Sequence, residues 1–179
     1  MDNIFKHEKG NNQLSWDDIG DINEGRSTLG PEMPVSMYRL MQFSLYDVLL
    51  RKYGHIQADS VMREAGYLAG CVFTNEKLDT TLDLHSFLAS LQEVLQKNKI
   101  GILRIEYIDP EVTNIVLTVA EDLDCSGLSD MGEAVCIYNE GFIAAILEIY
   151  THKPFAVVEK DCWASGDSLC RFHCTAENN

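Results

Sequence analysis

The hydrophobic period of this chain changes once. Apolar residues recur at three- and four-residue spacing as far as residue 97, and at every second position from residue 101. Helices repeat a face about every 3.6 residues and strands every second residue, so this change predicts a helical half followed by a strand-rich half. Met37, Leu40, Met41, Leu45, Val48 and Leu49 mark a helix after Pro34 that Gly54 ends. Ala58, Val61, Met62, Ala65, Ala69 and Val72 mark a second over 57–72, with Gly66 and Gly70 allowing a neighbour to approach closely. Asp83 caps a third over 84–97, whose stripe is Leu84, Phe87, Leu88, Leu91, Val94 and Leu95. Beyond it, GILRIEYID and VTNIVLTVAED alternate and are joined through Asp109-Pro110-Glu111, which reads as an antiparallel hairpin.

DLDCSGLSDMGE is a loop, and NEGFIAAILEIYTHK is a fourth helix, apolar almost all round and therefore central. A last hairpin is expected over 155–163 and 168–174, turning at Ser165-Gly166-Asp167. The fold class is α+β: helices packed on an antiparallel sheet in one domain over 31–176, after an N-terminal arm over 1–30 anchored by Leu14, Trp16, Ile19 and Ile22. At 179 residues the chain is long enough to bury a core without staples.

Charge excludes some partners. With 14 basic and 28 acidic side chains the net charge is -14. Binding to nucleic acid or to anionic membranes draws on clustered lysine and arginine, so neither is expected. No apolar run is long enough to span a bilayer, and the N-terminus lacks the apolar segment of a secretory signal. A cytoplasmic location follows as the expectation. There thiols stay reduced, and clustered cysteines more often mean metal or catalysis than disulfides.

Three of the six cysteines fall in VVEKDCWASGDSLCRFHC. A three-residue turn would pair Cys162 with Cys170 across the ladder, with Cβ atoms about 5 Å apart. That spacing suits a shared metal or a disulfide, and geometry alone does not choose. Glu159 would face away from Cys162 in a regular strand, so joint ligation needs a bulge near Lys160-Asp161. Cys136, ahead of the buried helix, could supply a further ligand. Cys71 and Cys125 read as isolated packing or loop thiols, and Cys174 as core. Met33, Met37, Met41 and Met62 read as core filling rather than an adaptable pocket. No histidine stands where it would activate a cysteine, so no catalytic residue is assigned, and whether the chain is an enzyme stays open with the balance against.

Cys136, the Gly141-containing helix, and then Glu159-x-x-Cys162-x-x-x-Gly166-x-x-x-Cys170-x-Phe172 resemble the 4-vinyl-reductase-like domain family. The resemblance runs from about Gly25 to Cys174 and includes the stand-alone hydrocarbon-binding type. It implies a structural zinc on Cys136, Glu159, Cys162 and Cys170. It also implies a ligand-binding fold shared with haem nitric-oxide sensors and vesicle-tethering subunits, a homodimer, and a hydrophobic pocket between helices and sheet. No ATPase or DNA-binding region follows in this sequence, so a signal would pass to a separate partner protein. The leading expectation is a zinc-stabilised domain that binds or senses a small aromatic or hydrocarbon ligand. One alternative is an accessory protein or enzyme acting on a tetrapyrrole vinyl group. Another is a protein-interaction subunit whose pocket is closed or filled by lipid.

Overall fold

The computed structural model describes residues 14–177. Most of the arm expected over residues 1–30 can be followed from there; residues 1–13 lie outside the described residues. A 3₁₀ turn at Trp16–Ile19 and helix α1 (Ile22–Gly25) lead in. The Lys77 ammonium sits 4.1 Å from the centre of the Trp16 ring, a contact worth about 1 kcal/mol. Leu14 and Trp16 are half-buried, whereas Ile19 and Ile22 are exposed and anchor nothing.

Four longer helices follow in the expected places: α2 (Val35–Tyr53), α3 (His55–Lys77), α4 (Leu84–Lys97) and α5 (Ile137–Thr151). Gly54, at φ +75°, turns α2 into α3, a backbone conformation that side chains disfavour. The Asp83 carboxylate accepts from the amides of His85 and Ser86 and starts α4 where the sequence places it. Strands β1 (Ile102–Ile108), β2 (Asn114–Ala120), β3 (Phe155–Asp161) and β4 (Cys170–Ala176) make one antiparallel sheet in the order β1-β2-β4-β3. Ile115, Leu117 and Val119 share the buried face, as alternation predicts.

The helices form layers rather than lying together on the sheet. Helices α4 and α5 pack on the sheet, α3 packs on α5, and α2 packs on α3. Phe87 of α4 stacks on Tyr150 of α5 with ring centres 3.9 Å apart, and the Tyr150 hydroxyl donates to the Leu82 carbonyl. The α3–α5 contact is backbone against backbone. A methyl group on Gly141 would overlap the Arg63 carbonyl, one on Gly66 the Tyr138 carbonyl, and one on Gly70 the Phe142 carbonyl. The glycines expected to permit close approach do so, with α5 as the partner.

Two expectations change. The α2 stripe faces outward: Met37, Leu40, Met41, Leu45 and Val48 are all exposed. Its inward face is polar and aromatic instead. The Tyr38 hydroxyl donates to Asp124 and the Arg39 guanidinium to the carbonyls of Asp122, Leu123 and Ser126. Periodicity locates an apolar face but does not say which side has a partner. Met33, Met37 and Met41 therefore fill no core; only Met62 of the four is buried.

The second change is in the last hairpin. Its turn is not three residues, and Cys162 does not pair with Cys170. The ladder ends at Asp161 opposite Arg171, and residues 162–169 form a longer connection with a 3₁₀ turn at Trp163–Ser165. The amides of Ser165 and Asp167 both donate to the Cys162 carbonyl, and the Asp167 carboxylate accepts from the Cys162 amide. These local bonds displace ladder pairing.

Gly141→Ala is expected to destabilise the fold by about 3 kcal/mol or more, because two helix backbones must separate to admit the methyl. Chemical denaturation with far-ultraviolet circular dichroism measures this.

Candidate metal centre

Four segments converge beside the end of β2. The β2–β4 ladder puts Val119 opposite Cys170, so the loop leaving β2 arrives next to the first residue of β4. That loop carries Cys125. Its shape is set by Asp122, whose Oδ1 accepts from the amides of Asp124 and Cys125 and whose Oδ2 accepts from the Asn139 side chain. Cys136 is the N-cap of α5, where packing of that helix between α3 and the sheet places it. Cys162 follows β3, beyond a register shift between Glu159 and Asp161. The bulge required at Lys160-Asp161 is present.

The result is a cluster of four buried thiols. The Sγ atoms of Cys125, Cys136, Cys162 and Cys170 all lie within 4.8 Å of one another. Cys125 and Cys170 are 3.1 Å apart, Cys136 and Cys170 3.7 Å, and Cys136 and Cys162 3.9 Å. Four thiolates at the zinc–sulfur bond length of about 2.3 Å would stand about 3.8 Å apart at the corners of a tetrahedron. The cluster needs only small movements to reach that arrangement. All six cysteines of the chain are free thiols.

Cys136, Cys162 and Cys170 are thus brought together as expected. Cys125, read from sequence as isolated, is the fourth thiol. Glu159 lies alongside: its Oε2 accepts from the Cys136 amide at 3.1 Å, while its Oε1 is buried with no hydrogen-bond partner among the described residues. The Glu159 amide donates to Glu140 Oε1, and Glu140 Oε2 accepts from Arg63 Nε at 3.1 Å, so α3 and α5 both brace the bulge. Cys174 is buried away from the cluster, paired with Ile115 and Val157, as a core residue.

Acidic groups crowd the site. Burial, with the Cys162 sulfur beside it, pushes the Glu159 carboxyl up to about 8. Burial and then the Asp124 charge push Asp122 up to about 7. Hydrogen bonds from the sulfurs of Cys125, Cys136 and Cys170 hold the Cys162 thiol well below its ordinary value, while Cys136 is pushed up, first by Cys125. One thiolate shared among four sulfurs, ringed by buried carboxyls, is a donor set suited to a soft divalent metal. The orphaned Glu159 oxygen points the same way, since a buried acceptor without a partner is costly.

Residues 115–176, which span β2, α5, β3 and β4, match the model of the vinyl-4-reductase domain. An uncharacterized protein of Methanocaldococcus jannaschii is 28% identical over 151 residues, covering 84% of this chain and 83% of the relative. Among solved structures, a vinyl-4-reductase family protein of the same organism aligns with a TM-score of 0.56 at 15% identity, over 87% of this chain and 89% of that one. The phenol-responsive sensory domain of the transcription activator PoxR, solved with phenol, aligns at 0.60 and 10% identity, over 82% and 76%. A trafficking protein particle complex subunit 3 from Naegleria fowleri, covalently bound to palmitic acid, aligns at 0.63 and 15% identity, over 80% and 95%. An H-NOX protein from S. oneidensis aligns at 0.53 and 13% identity, over 90% and 91%. These likenesses are of fold, and they agree with the α+β class and its expected relatives.

Two substitutions separate the roles of the fourth thiol and the carboxylate. Cys125→Ser is expected to weaken zinc binding about 100-fold or more, as loss of a direct ligand. Glu159→Gln is expected to weaken it about tenfold, as loss of a neighbouring partner. Competition with a chromogenic zinc chelator measures both, and a larger effect from Glu159→Gln would move the carboxylate into the ligand set.

Proposed function

Because the chain carries a vinyl-4-reductase domain over residues 115–176, we propose that it is a metal-stapled docking subunit with a closed interior. The four-thiol cluster carries this reading. Zinc is the metal that suits four buried cysteines. Cys136, Cys162 and Cys170 would hold it together with Cys125, and Glu159 stands ready as partner or substitute. The chemistry supplied by such an ion is structural, because four protein ligands leave no position for water or substrate. It ties the β2–α5 loop, the start of α5 and both strands of the last hairpin into one unit, and it neutralises charge in a place ringed by buried carboxyls.

Docking is supported by the outward face of α2. Met37, Met41, Leu45 and Val48 recur at four-, four- and three-residue intervals along it, and Leu40 lies beside them, all exposed. A continuous apolar stripe of this kind marks an interaction surface. The occupant proposed is a second copy of this chain, which would bring two such stripes together in the isologous contact usual for dimers. The closed interior supports docking over ready uptake of a ligand. Between α4, α5 and the sheet, Leu91, Leu103, Leu117, Phe142, Ile146 and Phe172 surround a cavity of about 30 Å³. That is room for about one water molecule.

A second reading has one observation in its favour. The same cavity is lined almost wholly by apolar side chains and lies where a pocket between helices and sheet was expected. A small aromatic or hydrocarbon ligand would occupy it if α4 moved off the sheet. Phenol bound to the PoxR domain and palmitic acid bound to the trafficking subunit are properties of those proteins that keep this reading in play. Added phenol raising the melting temperature in a saturable way would favour it over docking.

Protein purified without chelator is expected to contain about one zinc per chain, and stripping it is expected to lower the melting temperature by about 10 °C or more. Metal analysis alongside calorimetry tests this, and metal-free protein of unchanged stability would remove the staple. Met41→Asp with Leu45→Asp is expected to convert a dimer to a monomer with unaltered circular dichroism. Analytical ultracentrifugation reads the outcome, and a wild-type protein that is monomeric at high concentration would refute a second copy as the occupant.

A further inference from the structure

A second cavity lies away from the apolar interior, between α2, α3 and the loop ahead of α5. It measures about 270 Å³, room for a small organic molecule. Its walls are of two kinds. Phe43, Tyr46 and Tyr138 give aromatic surface, and Met62 and Met131 give polarizable surface. Asp59 and Glu133 give two carboxylates. Among the described residues no lysine, arginine or histidine lines it. Neither carboxylate forms an ion pair among the described residues. Arg39 of α2 is spent on the carbonyls of Asp122, Leu123 and Ser126.

Hydrogen-bond supply in the cavity is unbalanced in the same direction. Gln42 Oε1 is buried in its wall and receives no hydrogen bond among the described residues. The Tyr46 hydroxyl already donates to Asp59 Oδ1 at 2.7 Å. Acceptors therefore outnumber free donors, and a buried acceptor without a donor is costly. The two carboxylates also act at one place: burial, then Asp59, then Glu133 push the Tyr46 hydroxyl up to about 12. What would satisfy such a cavity is a group that carries positive charge, donates hydrogen bonds and has an apolar body to lie against aromatic rings.

We infer that this cavity binds a small organic ammonium, an amine protonated at neutral pH and carrying an aromatic or aliphatic body. Its N–H groups reach the Gln42 carbonyl and the Asp59 carboxylate, Glu133 at the mouth adds charge, and the ring of Tyr46, Tyr138 or Phe43 takes the cationic face. The overall charge of -14 raises the local concentration of cations and repels anions of the same size. The site borders the metal centre on both sides, because Val135 and Ile137 flank Cys136 and Leu128 follows Cys125 in the same loop. The inference is independent of the docking proposal, since neither carboxylate lies on the outward stripe of α2.

The test uses the full chain and three probes of similar shape: benzylammonium, benzyl alcohol and benzoate, titrated by calorimetry at neutral pH and moderate salt. Benzylammonium is expected to bind at one site per chain, about tenfold more tightly than benzyl alcohol, with no binding of benzoate. Glu133→Gln, at an exposed position that does not threaten folding, is expected to weaken benzylammonium about threefold and leave benzyl alcohol unchanged. Asp59→Asn in addition is expected to abolish the preference for the ammonium. Equal affinity for ammonium and alcohol, binding of benzoate, or the absence of saturable ammonium binding would each overturn the assignment. Ammonium binding that survives both substitutions would overturn it as well.

Discussion

Helix α5 can lie between α3 and the sheet only because Gly66, Gly70 and Gly141 present no side chain where the two helices meet. That contact is backbone on backbone and has almost no tolerance, as expected for close-packed interiors. Everything at the metal centre is placed by it. The N-terminus of α5 carries Cys136, its first turn carries Glu140, and its position fixes how near both come to the strand that bears Glu159 and Cys162. A helix displaced outward by one methyl would carry Cys136 away from the other three sulfurs. The packing of small residues and the chemistry of the thiols are therefore one constraint rather than two.

The chain handles its acidity unevenly. Most carboxylates are solvated, but Asp122, Asp124, Glu140 and Glu159 are buried in the region of the four thiols. Two guanidinium groups serve this region among the described residues. Arg63 binds Glu140, and Arg39 holds the carbonyls of the loop that bears Cys125. Arrangements with more buried negative charge than positive charge raise carboxyl pKa values, which is the direction seen at Asp122 and Glu159. The same loop thus joins three features: one thiol of the cluster, the anchor for α2, and a wall of the acidic cavity. Asp122 is the residue that shapes it.

The candidate ligand set was partly legible in the sequence. Cys162 and Cys170 stand close in the chain, and the spacing from Glu159 demanded a bulge that the strand contains. Cys136 was placed through resemblance and through its position ahead of a buried helix. Cys125 was missed because its neighbour Cys170 is 45 positions away and the link between them is the β2–β4 ladder. No local pattern in DLDCSGLSD reports that pairing. The Asp-rich turn around Asp122 was the available signal, since it holds the following thiol rigidly. The outward face of α2 was likewise unreadable, because an apolar stripe looks the same whether it meets a core or a partner.

By itself the sequence determined the kind and order of the elements: helices to residue 97, strands beyond, a buried helix late in the chain, and glycines for close contact. Those are local properties, set by side-chain period, capping and backbone freedom within a few residues. Tertiary structure decided which strands are neighbours, which face of α2 is covered, and which four sulfurs share a site. These depend on contacts between residues far apart in the chain, whose energies exist only once the layers have packed.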